Sequence, residues 1–247
     1  MMLKYKETEY EYYTAIYFVR TDNYRAHIYC YADYLYQLNS QECNEILNSI
    51  KIKDTIALQN DGVPFNDVSN KQWYHAPIKY VYEKEYISGL NTYTYGPNIN
   101  LSRCMLVTIL WRISGNPAAK GNVSFPDIKE SDWYYTPVIW AAENGIVNGY
   151  GNGKFGPNDN ISREQLATML RNYAIFRGKD KSYSEESIST FQDSKKVADW
   201  AMPGVAWAIK NQIIGGKNNG TIIDPQGNAT RAEVATMIMK LDTNVLK

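Results

Sequence analysis

Three arginines sit where chemistry is conceivable. Arg103, Arg163 and Arg231 each follow a hydroxyl residue, in Leu101-Ser102-Arg103, Ile161-Ser162-Arg163 and Ala229-Thr230-Arg231. A Ser or Thr just before an apolar periodic run reads as a helix N-cap, which puts the arginine in the first helical turn. Free backbone N–H groups and the positive end of the helix dipole favour an anion there. A guanidinium adds two parallel N–H donors that match a carboxylate. Such charged hydrogen bonds contribute roughly 1.5–3 kcal/mol each in a sheltered site. The chemistry would be anion binding, not bond making. On spacing alone, a solvated arginine or a partner for a nearby Asp fits as well. A second set is Trp73, Trp133 and Trp200. An indole suits the apolar C–H face of a sugar, but from sequence alone a core position at the helix start is the favoured reading.

Other chemistry finds little support. Asp67, Asp127 and Asp193 occur in Phe-x-Asp triplets, where holding a turn is the simpler role. Asn148, Tyr150, Asn152 and Asp159 have loose calcium-loop spacing, but an acidic first ligand and a final bidentate Glu are missing. A glycine turn explains that stretch. Cys30, Cys43 and Cys104 form no CxxC, and His27 and His75 are far apart, so neither a disulfide framework nor a metal site is expected. No HExxH, GxSxG, phosphate-binding loop or dinucleotide fingerprint occurs. Glu185-Glu186 lies in a polar linker and reads as solvated. The expectation is a non-enzyme without a cofactor.

The elements that must position these side chains form an internal repeat. Phe65-Asn66-Asp67-Val68, Phe125-Pro126-Asp127-Ile128 and Phe191-Gln192-Asp193-Ser194 open alike. A tryptophan, a helical stretch, a glycine-rich turn and a second helix follow each time. The arginines are spaced by 60 and 68 residues and the tryptophans by 60 and 67. In the second copy, helix one is expected from about Trp133 to Asn144, with Gly145 as its left-handed cap. Residues 146–157 then read as a tight loop, and Ser162 starts helix two. Ser162 with Gln165, and Thr230 with Glu233, fit a capping box, whereas Ser102 is followed by Met105 and has only half of one. Helix two carries Leu106, Ile109, Leu110, Ile113; then Leu166, Met169, Leu170, Tyr173; then Val234, Met237, Ile238, Leu241. That spacing makes one apolar stripe, which a single helix pair cannot bury but three pairs can. The second helices are candidates for a shared bundle. The linkers from Gly115 to Ser124 and from Gly178 to Thr190 are polar and read as surface chain.

Residues 1–62 lack the repeat and are rich in tyrosine. Thr14–Arg20 and Arg25–Tyr31 have β-type content, with a turn expected at Asp22-Asn23 and a helix from about Ser40 to Ile50. The expectation is a small α+β segment; the tail of an upstream domain or a second sugar surface remains open. Met1 to Tyr13 lacks the apolar run of a secretory signal, so a protein working outside the cell would be present here as a mature piece, a fragment or a truncated product. The formal net charge is zero and no basic block stands out, which argues against nucleic acid and anionic lipid. No stretch reaches the roughly 18 apolar residues of a membrane span.

The order Phe-x-Asp, Trp, helix, glycine-rich turn, Phe-x-Pro, Ser/Thr-Arg resembles the S-layer homology (SLH) repeat. Thr230-Arg231-Ala232-Glu233 matches its signature, Ser162-Arg163-Glu164-Gln165 is a close variant, and Ser102-Arg103-Cys104-Met105 departs most. The resemblance covers repeats at 63–116, 123–177 and 189–242. It implies a mainly α fold: three helix-turn-helix repeats in a pseudo-threefold spindle with a central three-helix bundle. It also implies non-catalytic anchoring at the cell wall of a bacterium. The partner would be secondary cell-wall polysaccharide, acidic and bearing a pyruvate ketal, held in inter-repeat grooves, with an upstream cargo domain. By the resemblance Arg103, Arg163 and Arg231 bind the carboxylate, and Trp73, Trp133 and Trp200 form groove walls. Met105 makes the sites unequal, so some grooves are expected to be silent. The alternatives are a self-assembly module of the envelope and the non-catalytic part of a wall-polymer hydrolase.

Overall fold

The periodic apolar runs are helices. A computed structural model describes residues 2–7, 10–21, 24–32 and 62–247. The repeats contain α1 (His75–Glu83), α2 (Arg103–Ile113), α3 (Tyr135–Glu143), α4 (Arg163–Phe176), α5 (Met202–Lys210) and α6 (Arg231–Leu241). The first helix of each repeat begins two residues after its tryptophan, so Trp73, Trp133 and Trp200 lie on the entry turn outside the helix. In the second repeat that turn is closed by the Tyr135 N–H donating to the Asp132 carbonyl at 3.0 Å. Every expected stripe residue of the second helices is buried except Ile113, which packs at the margin of the core.

The two complete capping boxes form. Ser162 Oγ and Thr230 Oγ1 accept from the backbone of Gln165 and Glu233, whose side chains reach back to the cap N–H. A cap of this kind stabilises a helix by about 1 kcal/mol. Ser102 makes no such bond, because its hydroxyl instead lies 3.3 Å from the buried Cys104 sulfur. The half cap expected there is absent.

The repeats close on one another. The Leu101 N–H donates to the Ala229 carbonyl, the Ala229 N–H to Ile161, and the Ile161 N–H to Leu101, each at 2.9 Å. These three bonds make a cyclic main-chain ring. The tightest helix pairings are also cyclic: α2 on α3, α4 on α5, and α6 on α1. At the end of α6, Asp242 accepts from the hydroxyls of Tyr80 at 2.6 Å and Tyr86 at 3.3 Å, fastening the third repeat to the first. Burial, aided by that carboxylate, pushes the Tyr80 phenol up to about 12.

The linker from Gly178 to Thr190 is not pure surface chain. A 3-10 turn at Glu185–Ile188 drives Ile188 into the core, and Trp207 Nε1 holds the Asp180 carbonyl at 2.9 Å. One apolar residue in a polar stretch was enough to anchor it.

The chain divides into two compact units, Met1–Asp54 and Thr55–Lys247. The first carries an antiparallel sheet of β1 (Met2–Glu7), β2 (Tyr10–Thr21) and β3 (Tyr24–Ala32), in that order. Ile16 pairs with Tyr29, and Thr21 with Tyr24. The expected turn at Asp22-Asn23 and helix from Ser40 to Ile50 lie outside the described residues.

Candidate functional site: three inter-repeat grooves

The aspartates of the Phe-x-Asp triplets set the loops on which the site is built. Asp67 accepts from the N–H groups of Tyr95 and Gly96 at 2.8 and 2.7 Å. Asp127 accepts from Phe155 and Gly156 at 2.9 and 2.8 Å, and Asp193 from Ile223 and Asp224 at 2.8 Å each. Each therefore ties down a turn about 30 residues downstream, not the turn in which it sits. Burial works to raise the Asp127 carboxyl, but the two backbone donors outweigh it and hold the group below its usual range.

The arginines are buried, with relative exposures of 3%, 5% and 6% for Arg103, Arg163 and Arg231. Each reaches into the loop held by the next repeat's aspartate. Arg103 donates through Nε to the Phe155 carbonyl at 3.0 Å and through Nη2 to Asn148 at 3.2 Å. Arg163 donates to Ile223 at 2.8 Å. Arg231 donates to Tyr95 at 2.8 Å and to Ser88 at 2.7 Å. Rings support two of the cations, with Arg103 4.8 Å from the Phe155 centroid and Arg231 4.6 Å from that of Tyr95. Burial lowers the pKa of all three, yet a guanidinium stays charged at neutral pH.

The first two N–H groups of each of these helices are not free. Those of Arg103 and Cys104 donate to Asp159 and Pro157, those of Arg163 and Glu164 to Gly227 and Pro225, and those of Arg231 and Ala232 to Ile99 and Pro97. The neighbouring repeat already supplies the acceptors that an anion would have supplied. The expected cradle thus reduces to the arginine side chains, each with five N–H donors of which part is engaged by the fold.

Each arginine nevertheless lines a groove, and each groove draws on all three repeats. The first groove, 340 Å³, joins Arg103, the Ile146–Gly151 loop, Gln165, Thr168, Met169 and Asn172 of α4, and Trp200. The second, 660 Å³, joins Arg163, residues 213–219, Glu233, Thr236, Met237 and Lys240 of α6, and Trp73. The third, 260 Å³, joins Arg231, residues 87–90, Met105, Thr108, Ile109 and Arg112 of α2, and Trp133. The first two have small-ligand dimensions, and the third lies just below that range. The tryptophans are 57–62% exposed, so they are not core residues.

Sequence reasoning missed the second-helix lining. Its signal was a stripe at i, i+3 and i+7 beside the apolar face: Gln165, Thr168, Asn172; Glu233, Thr236, Lys240; Met105, Thr108, Arg112. The central threonine is common to all three, and its hydroxyl is turned onto the carbonyl four residues back, at 2.8–3.0 Å.

The grooves differ in charge. In the second, Arg163 lies 3.4 Å from Glu233, and Lys217 lies 3.1 Å from Glu233 and 2.8 Å from Asp224, so these two cations are paired, while Lys240 stands in the same lining. The first has Arg103 with neutral Gln165 and Asn172. The third has two cations, Arg231 and Arg112, and no carboxylate in its lining.

Among the described residues no helix is long and apolar enough to cross a membrane, and no cluster of His, Cys, Asp or Glu could hold a metal ion. The family model of the S-layer homology domain matches residues 64–103, 124–167 and 190–235. An endoglucanase of Bacillus sp. (strain KSM-635) is 32% identical over 74% of this chain and 19% of its own length. An amylopullulanase of Thermoanaerobacterium thermosulfurigenes is 33% identical over 72% of this chain and 9% of its own. The S-layer protein EA1 of Bacillus anthracis is 29% identical over 73% of this chain and 20% of its own. The chain thus spans about a fifth or less of the relatives it matches.

Proposed function

Because this chain belongs to the S-layer homology domain family, we propose that its repeats fasten a larger bacterial protein to the cell wall by holding an acidic polysaccharide in the inter-repeat grooves. S-layer homology domains are non-catalytic anchoring modules of the cell surface or cell wall. A match covering so little of the endoglucanase and the amylopullulanase carries no catalytic claim for this chain. The single observation that carries the reading is the composition of each groove: a buried arginine from one repeat, a polar helix face from the next and an exposed indole from the third.

The roles divide accordingly. Trp73, Trp133 and Trp200 offer flat walls to the C–H faces of a sugar. Arg103, Arg163 and Arg231 hold the grooves in shape through backbone carbonyls, and their remaining N–H donors take the sugar carboxylate, such as a pyruvate ketal on an amino sugar. Charge ranks the grooves. The third, with Arg231 and Arg112 and no carboxylate in its lining, is the strongest site for an anion; in the second, Glu233 competes with the anion for Arg163 and Lys217.

The test is co-sedimentation of the chain with purified bacterial walls, intact or stripped of ketal and acidic polymer. Binding to intact walls alone is expected. Trp133→Ala should weaken it while leaving helix content unchanged, because that indole is largely in solvent. Equal retention on stripped walls refutes the reading.

A further inference from the structure

Beside the third groove lies a hollow of 640 Å³ lined by Tyr82, Lys84, Tyr86, Trp111, Arg112 and Asn116 among others. Ile87, Ser88 and Arg112 line both, so the two spaces share one rim. We propose that this hollow is a second sugar subsite, taking the residues of the wall polymer that follow the one held in the third groove. This rests on the groove reading above and extends it to a named neighbour.

The walls are built in advance of any ligand. Trp111 Nε1 donates to the Pro117 carbonyl at 2.7 Å, fixing its indole. Tyr86 is held by its hydroxyl on Asp242 at 3.3 Å. Tyr82 stands edge-on to Phe65 with ring centroids 5.0 Å apart. Arg112 is parked at the junction, with Nη1 3.4 Å from the Tyr86 carbonyl. Fixed aromatic faces lose little entropy on binding, and sugars present apolar faces to them. Arg112 and exposed Lys84, set against the one exposed carboxylate Glu85, leave the lining with one positive charge in excess, the sign an acidic polymer needs.

The aromatic set is peculiar to the first repeat. The main-chain turns align Val81 with Ala141 and Ala208, since each carbonyl accepts the two N–H groups that begin five residues on. Tyr82 therefore corresponds to Ala142 and Ile209, and Trp111, eight residues after Arg103, to Arg171 and Met239. The fold does not require tyrosine and tryptophan at these places, as the other two copies lack them.

The experiment measures binding of the whole chain to size-fractionated oligosaccharides of purified secondary wall polysaccharide, from one acidic sugar upward, by calorimetry. Affinity should rise with length and then level off. Tyr82→Ala should lower affinity for the longer fragments about five- to tenfold and leave the single sugar unchanged. Lys84→Glu, at an exposed position, should do the same by repulsion. Binding that ignores length, or variants that weaken every length alike, overturns the subsite while the groove reading stands. Failure of the unaltered chain to bind any fragment overturns the groove reading and the subsite with it.

Discussion

Tyr95→Phe is expected to stabilise the repeat unit. Tyr95 is fully buried under Arg231, and its hydroxyl has no hydrogen-bond partner among the described residues. Its ring still supports the arginine at 4.6 Å. The second repeat places Phe155 at the equivalent position, under Arg103 at 4.8 Å, so a ring without the oxygen is compatible with the same turn and the same cation. Leaving a buried hydroxyl unpaired costs about 1–3 kcal/mol. Deleting the oxygen also removes a few tenths of a kcal/mol of dispersion contacts. The net gain should be about 1–2 kcal/mol, or roughly 2–8 °C in Tm for a unit of this size. Thermal unfolding followed by circular dichroism reads it directly, with wall binding measured in parallel and expected to be unchanged. A lower Tm would refute the reasoning, because it would mean that the hydroxyl has a partner worth more than its desolvation. Tyr95→Ala is the opposite control: loss of the ring should cost about 3–5 kcal/mol.

Met105→Glu should complete the missing capping box and raise stability by about 0.5–1 kcal/mol. It should also place a carboxylate beside Arg231, as Glu233 stands beside Arg163, and cut affinity for an acidic sugar about three- to tenfold; a calorimetric titration separates the two effects. Asp127→Asn should lower stability near neutral pH by about 1 kcal/mol, after allowing for the solvent exposure of the carboxylate. The Asp127 carboxyl is held below its ordinary 3.8, so its contribution is present above that pH and disappears as pH falls through the lower folded value. The two unfolding curves should converge as pH falls through that lowered folded value, and a constant gap would refute the assignment. Gly149→Ala should cost about 1–3 kcal/mol, because an added methyl would meet the Lys154 carbonyl at 2.8 Å and the Phe125 ring at 2.9 Å. The shifted loop would withdraw the Asn148 carbonyl from Arg103, so binding at the first groove should fall as well; a purely thermal effect would remove that link.

How far the sequence could be read depends on where a signal is stored. Helix two was legible because Ser162, Gln165 and the stripe from Leu166 to Tyr173 are all local, within one run of chain. The same holds for the repeat itself, since Trp, Asp and Arg recur at one spacing. The partners of the arginines were not legible. Arg231 ends on Ser88 and Tyr95, well over a hundred residues away, and nothing in Thr230-Arg231-Ala232-Glu233 states that the acceptors are backbone carbonyls. Main-chain groups have no sequence signature. For the same reason the helix starts looked free when Asp159, Gly227 and Ile99 already occupied them. The tryptophans illustrate the converse. Large apolar residues at a helix start read as core by composition, and only the tertiary arrangement turns them outward.

The cyclic bonding of Leu101, Ile161 and Ala229 fixes the number of repeats. An open stack has a free edge at either end and can lengthen or shorten by one unit without altering the rest. Here the last repeat donates to the second and accepts from the first, so no edge remains on which a fourth could dock. Removal of one would orphan two main-chain partners in the ring and open all three grooves together, because each borrows from every copy. A change in any one copy is therefore felt by the whole trio.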